Sequence, residues 1–295
     1  MLLSSFFDGE GVLGDADVQR THYVNSPLPD ACAFALNDNY LSQALSNPNI
    51  VAVIVPPGLV QETRSKGVYV SENPKRDFFR LHEQLYRRNP PLLRERQISL
   101  KAQISPLAVI HGNVLIEDDV IIEDFAVVRE NSIIRRGAYI AAHAVIGARG
   151  MHDTFVDGER LWVSDAGGVL LEEGVQVLSH ASVQKAYFAE FTSVGRNSIV
   201  SVHCNIGHGC RIGANTRIAG SAQLAGYVTI GDNVWVGPSV TVAHGLSVGD
   251  GAELLIGSVV ISDIASCRKV SGNFAIDHLR NIKLQAEKRS APRAD

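Results

Sequence analysis

From residue 104 onward the apolar positions of the chain fall on a six-residue beat. Ile104, Ile110, Ile116, Ile122, Val128, Ile134, Ile140 and Ile146 follow one another without a miss. The beat stops between Gly147 and Gly168, resumes at Leu171, Val177 and Val183, and then waits eleven residues for Val194. That interval reads as two hexads with one residue lost. From Val194 the beat runs unbroken to Val260, giving 23 aliphatic positions in all. Six is neither the period of a helix nor that of a lone strand. It is the period of a triangular solenoid in which each flat side takes one hexapeptide and turns its aliphatic residue inward. Small residues follow at the corners, among them Gly195, Gly207, Gly213, Gly231 and Gly237. Three hexads make one coil, so residues eighteen apart stack at one strand spacing, ~4.8 Å. The solenoid is assigned to residues 101–265, and the aperiodic stretch 147–168 to a loop projecting outward from one corner.

Residues 1–100 lack the beat and read as a small α/β domain. Ala31–Leu36 and the β-branched run Ile50–Val55 are expected as strands, with Val68–Val70 as a third. Asn39–Asn47 reads as a short helix. Asn73 before Pro74 is a cap followed by a first-turn proline, which starts a helix running to about Arg88. At the other end, residues 266–295 form a tail whose segment Asp277–Arg289 reads as a helix.

Composition adjusts this picture in three places. Only 19 of the 295 residues are aromatic, and nine of them lie in the first 100, as expected if a narrow prism of aliphatic rungs fills the rest. The net charge of -4 argues against a nucleic-acid binder. No apolar run approaches the roughly 18 residues of a membrane span, and the start of the chain reads as mature protein, so a cytoplasmic location is expected. The four cysteines, Cys32, Cys204, Cys210 and Cys267, form no CxxC pair, so neither a disulfide framework nor a structural metal site is expected.

Candidate chemistry emerges from the stacking rule. His208, Gly226 and His244 are eighteen apart and form one column just past a corner, outside the inward positions. Imidazole titrates near neutrality and can take a proton from an attacking group. A glycine N–H one coil away can approach a reacting oxygen closely and stabilise the negative charge that develops on it. His208 is thus the candidate general base, Gly226 the oxyanion donor, and His244 a group that orients substrate. In the outward loop, His152 and Trp162 are candidate substrate contacts.

The hexad solenoid resembles the left-handed parallel β-helix of hexapeptide-repeat acyltransferases. Asn205-Ile206-Gly207-His208-Gly209 and Leu224-Ala225-Gly226 resemble the catalytic region of the UDP-3-O-(3-hydroxyacyl)glucosamine N-acyltransferase family of the lipid A pathway. Phe34, Asn37 and Tyr40 have the spacing of that family's F-x-x-N-x-x-Y uridine site. There the two rings sandwich uracil and the amide meets its edge, as π faces and a donor–acceptor pair can. The resemblance implies a homotrimer with active sites between neighbouring solenoids. It also implies a UDP-amino sugar as acceptor, acyl-CoA or acyl carrier protein as donor, and no tightly bound cofactor. The stretches Gly147–Met151 and Ser182–Lys185 depart from the family's pattern near its acyl and sugar pockets. The leading expectation is therefore N-acylation of a UDP-amino sugar for surface glycan or lipopolysaccharide synthesis. Three alternatives stand beside it: lipid A synthesis proper with a 3-hydroxyacyl carrier protein, a non-catalytic nucleotide-sugar-binding relative, and a zinc carbonic anhydrase using His203 and His208, whose register does not match that family's. The tail from Arg268 to Asp295 carries a net charge of +4, suited to an acidic donor such as a carrier protein.

Overall fold

The computed structural model describes every residue except 8, 10, 60–65, 90–91, 152, 157, 273–276 and 291–295. Residues 97–270 wind into a mostly β structure, a left-handed parallel β-helix with three flat faces. Face one begins with Gln97–Ile98 and holds eight strands, face two begins with Gln103–Ile104 and holds nine, and face three begins with Val109–Ile110 and holds eight. Strands on one face pair in parallel with residues eighteen apart, as in Val128↔Ile110 and Ile230↔Ile212. The rung positions read from the six-residue beat lie inside the prism, in one continuous aliphatic core. A second set of inward positions, two residues earlier, escaped the beat because it mixes Ala, Val, Ser, Thr and Cys. Ser198, Cys204, Cys210 and Thr216 belong to it, and all are buried. Thr216 Oγ1 donates to the Gly231 carbonyl at 2.8 Å and accepts from the Val234 N–H at 3.0 Å, so its polarity is satisfied inside the prism.

The solenoid is longer than the 101–265 assigned from the sequence. Ile98 pairs with Ile116 at its start, and Val270 pairs with Leu254 at its end. The last coil is shortened, with Ile264 bridging to Val248, so the beat changes phase after Val260. The reading of one lost residue before Val194 is also corrected. Val183 pairs with Ile206, 23 residues on, so five residues have been added to that coil. Both interruptions fall at the same corner, between face three and face one. The longer one contains an antiparallel hairpin, Asp153–Val156 with Glu159–Trp162. The shorter one brings in Tyr187 and Phe188.

The N-terminal region forms a parallel sheet of four strands in sequential order: β1 (Arg20–Thr21), β2 (Ala31–Phe34), β3 (Ile50–Val55) and β4 (Gly67–Val70). Helices α1 (Leu3–Phe6), α2 (Asp38–Ser46) and α3 (Pro74–Arg88) accompany it, and α4 (His278–Ser290) follows the solenoid. Asn73 caps α3 through its side chain, which accepts from the Arg76 N–H at 3.1 Å. The buried face of α3 presents Phe78, Leu81, His82 and Leu85. Phe78, Leu81 and Leu85 pack in one cluster with Val163, Tyr187 and Phe188 from the two interruptions. The domain therefore docks onto the corner where the solenoid departs from its repeat.

Polar bonds fix that docking. His22 Nε2 lies 2.9 Å from Glu190 Oε1, and Arg211 donates to the other carboxylate oxygen at 2.9 Å. The His22 and Glu190 side chains are only 2% and 4% exposed. A second pair of bonds passes through His82. Its Nε2 lies 2.8 Å from the Ser164 carbonyl, which can only accept, so in the neutral ring Nδ1 accepts from the Thr21 hydroxyl at 2.7 Å. Glu83 accepts from the Ser164 N–H and hydroxyl beside it.

Candidate active site

The column of His208, Gly226 and His244 lies on the corner between faces three and one. The two histidine rings are 6.2 Å apart between centroids. Gly226 fits between them because it has no side chain. A Cβ built on it would lie 2.5 Å from His208 Cε1 and 2.8 Å from Cδ2, with Nε2 closer still. The imidazole thus rests on the glycine's Cα. The reverse contact is built the same way. Tyr227, at φ +59°, turns its ring back over Gly209, where a Cβ would meet Tyr227 Cε1 at 2.6 Å. His208 and Tyr227 meet edge to face at 5.4 Å, and Tyr227 meets His244 at 5.7 Å. Two glycines therefore admit two rings, and each ring fixes the other.

The N–H groups just past the corners differ in what they meet. At the equivalent places, the Ala214 and Asp232 N–H groups donate to the carboxylates of Asp232 and Asp250. Among the described residues no acceptor faces the Gly226 N–H, while its carbonyl accepts from the Gly245 N–H at 3.0 Å. An N–H left open beside an imidazole is the arrangement an oxyanion donor needs.

A cavity of about 530 Å³ opens between the N-terminal domain and this corner. The solenoid contributes Tyr227, His244 and Gly245 to it. The domain contributes Phe34 and Tyr40 of the aromatic pair, together with Tyr23 and Lys75. Phe34 is part-buried against Phe78, with centroids 4.9 Å apart, while Tyr40 is 49% exposed. Asn37 has a structural role beside the uracil contact expected of it. Its Oδ1 caps α2 by accepting the Tyr40 N–H at 3.0 Å, and it is not among the cavity's lining residues. Trp162 lies on the hairpin, 57% exposed, with the guanidinium groups of Arg149 and Arg160 over its ring at 5.6 and 5.1 Å. It does not line the cavity. His152 lies outside the described residues.

Several site residues carried no signal in the sequence. Tyr227 stands beside Gly226, yet nothing local says that its ring folds back over Gly209. Tyr187, 5.7 Å from His208, belongs to the added residues and has no repeat position. His203 sits on a different corner from His208, stacked on His180 at 5.1 Å, so the H-x4-H spacing does not bring the two together at one corner. The cysteines flanking His208 are structural. Burial pushes the Cys210 thiol up to about 12, and it donates to the Ala225 carbonyl. Cys204 is raised for the same reason. Neither thiol is a ready thiolate nucleophile. Burial likewise raises the phenols of Tyr187 and Tyr227 well above their ordinary range, so at neutral pH both are protonated.

Residues 113–148 match the family model described as bacterial transferase hexapeptide (six repeats). Among solved structures, the chain is similar to the UDP-N-acetylglucosamine acyltransferase of Francisella novicida. The two share 22% identity over 68% of this chain and 74% of that one, with a TM-score of 0.51. It is also similar to the UDP-N-acetylglucosamine O-acyltransferase of Moraxella catarrhalis, at 17% identity over 68% of this chain and 76% of that one, again with a TM-score of 0.51. The likeness is one of fold. A comparison with curated proteins found no match. Among the described residues no helix is long and apolar enough to cross a membrane.

Proposed function

We propose that this protein moves an acyl group from a thioester, acyl-CoA or acyl carrier protein, to the amine of a UDP-linked amino sugar. One observation carries the reading: the aromatic pair of the N-terminal domain lines the same cavity as His244 and Tyr227, and His208 and Gly226 stand directly behind those two rings rather than in the cavity wall. In this reading Phe34 and Tyr40 hold the uracil, and the sugar reaches toward His244 and His208. The amine nitrogen attacks the thioester carbonyl while His208 takes its proton. The Gly226 N–H donates to the oxyanion. Collapse forms the C–N bond and breaks the C–S bond, and the thiol leaves with a proton returned from His208. Direct transfer needs no enzyme nucleophile, which agrees with the buried, protonated cysteines beside the base.

Acylation of an amine, rather than of a hydroxyl, comes from the chain's resemblance to the N-acyltransferases. The same base serves either acceptor. Crossing UDP-amino sugars and UDP-N-acetylglucosamine against acetyl-CoA, longer acyl-CoAs and 3-hydroxyacyl carrier proteins, with products read by mass spectrometry, decides both substrates. An amide product lost in His208→Ala is the expected outcome. A product only with UDP-N-acetylglucosamine removes the N-acyl reading, and no product from any pair removes the transferase reading. A homotrimer is proposed with it, to be checked by light scattering coupled to size-exclusion chromatography.

A further inference from the structure

Tyr227 packs its ring into the junction cavity, but its backbone placement has a structural cost and its hydroxyl no structural return. Its backbone sits at φ +59°, a region that disfavours bulky side chains, while the same corner position is glycine one coil before and one coil after, at Gly209 and Gly245. Its ring is accommodated only because residue 209 has no Cβ. Around the ring stand His208, His244, Tyr23 at 5.5 Å and His22 at 6.1 Å, all in edge-to-face contact. Yet the phenol oxygen is buried with no hydrogen-bond partner among the described residues, in a side chain that lines the cavity. A buried hydroxyl without a partner destabilises the chain that carries it, and phenylalanine would supply the same packing without that penalty.

We infer that the Tyr227 hydroxyl is a specificity-determining contact to the acceptor, pairing with a polar substituent on the sugar ring beside the reacting amine. This rests on the proposed reading of the cavity as the nucleotide-sugar site. The argument for the sugar, rather than the uracil, is position. Tyr227 belongs to the solenoid corner and touches both column histidines, whereas Phe34 and Tyr40 approach the cavity from the domain. Because burial keeps the phenol protonated, it can donate a hydrogen bond to a sugar hydroxyl or carbonyl oxygen. A site built around such a donor rejects an acceptor that lacks the matching oxygen, since the hydroxyl is then left unpaired again.

The test is Tyr227→Phe in the full-length protein, which removes one oxygen and keeps the ring. Titration calorimetry with UDP and with the UDP-amino sugar separates the two halves of the acceptor. Affinity for UDP should be unchanged, and affinity for the UDP-amino sugar should fall by roughly ten- to a hundredfold. Against the matching ring-deoxy UDP-sugars, the wild type should discriminate by a similar factor for one of them, and the variant should not. The melting temperature should stay level or rise, because an unpaired hydroxyl has been removed. Equal sugar affinity in the two proteins, or a clear loss of stability in the variant, overturns the role of Tyr227 and leaves the proposed function standing. A wild-type protein that binds neither UDP nor the UDP-amino sugar overturns both.

Discussion

Replacing Gly226 by alanine tests the column most sharply, because it adds one methyl group and removes nothing. Gly226 is absent from the positive-φ glycines, so alanine is compatible with its backbone. The oxyanion-donor N–H is kept. What changes is space. The new Cβ would lie 2.5 Å from His208 Cε1, whereas ordinary contact begins at 3.4 Å, so the imidazole must withdraw by about 1 Å. It cannot withdraw freely, because Tyr227 meets it edge-on at 5.4 Å and Tyr187 stands at 5.7 Å. A misplacement of about 1 Å at a reacting group costs roughly a hundredfold in rate. Overpacking costs about 1–3 kcal/mol, partly offset by about 0.4–1 kcal/mol from the lost freedom of glycine in the unfolded chain. Gly226→Ala should therefore fold with a melting temperature lowered by a few degrees and with kcat/KM for acyl transfer down about a hundredfold. In a His208→Ala background the methyl has room, so Gly226→Ala should then cost no stability and little further activity. Steady-state kinetics and thermal melts on the four proteins of this cycle give the coupling directly. Near-wild-type transfer by Gly226→Ala, or stability losses that simply add, would show that the imidazole does not depend on this glycine and refute the packing argument.

His208→Ala should reduce transfer by roughly 10²–10⁴-fold while UDP-sugar affinity, measured by calorimetry, stays within about twofold. Tyr40→Ala, at a half-exposed ring, should raise KM for the nucleotide sugar about tenfold with little change in kcat or stability; an unchanged KM would take the ring out of the binding site. Glu190→Ala removes a buried hydrogen-bond partner of His22 and breaks the Arg211 contact, so a loss of about 1–3 kcal/mol is expected in denaturant melts. With iodoacetamide at pH 8, native protein should be alkylated at exposed Cys267 and not at buried Cys32 or Cys210, and activity should survive; inactivation tracking Cys210 modification would reopen a thiol mechanism.

The sequence by itself determined the solenoid, because a repeat whose coils touch only their neighbours is a matter of counting. Ile104 to Ile146 and Val194 to Val260 fix the rungs, and the same arithmetic puts His208, Gly226 and His244 in one column. The helix beginning at Pro74 was equally legible, since its start signal is local. Counting went no further where the repeat broke. The eleven residues before Val194 fit one deletion or five insertions equally well, and only the pairing of Val183 with Ile206 chose between them. The cap that Asn37 makes on its own helix was not legible from its spacing to Phe34 and Tyr40, because capping depends on where that helix begins. What the tertiary structure alone decided is the docking of the domain on the interrupted corner. His22 and Glu190 are 168 residues apart in the chain, and no period links them. Their pairing, with the packing of Phe78 against Phe188, sets Phe34 and Tyr40 across a cavity from His244 and Tyr227. Long-range packing between a periodic and an aperiodic part leaves no pattern in either, so it had to be seen in three dimensions.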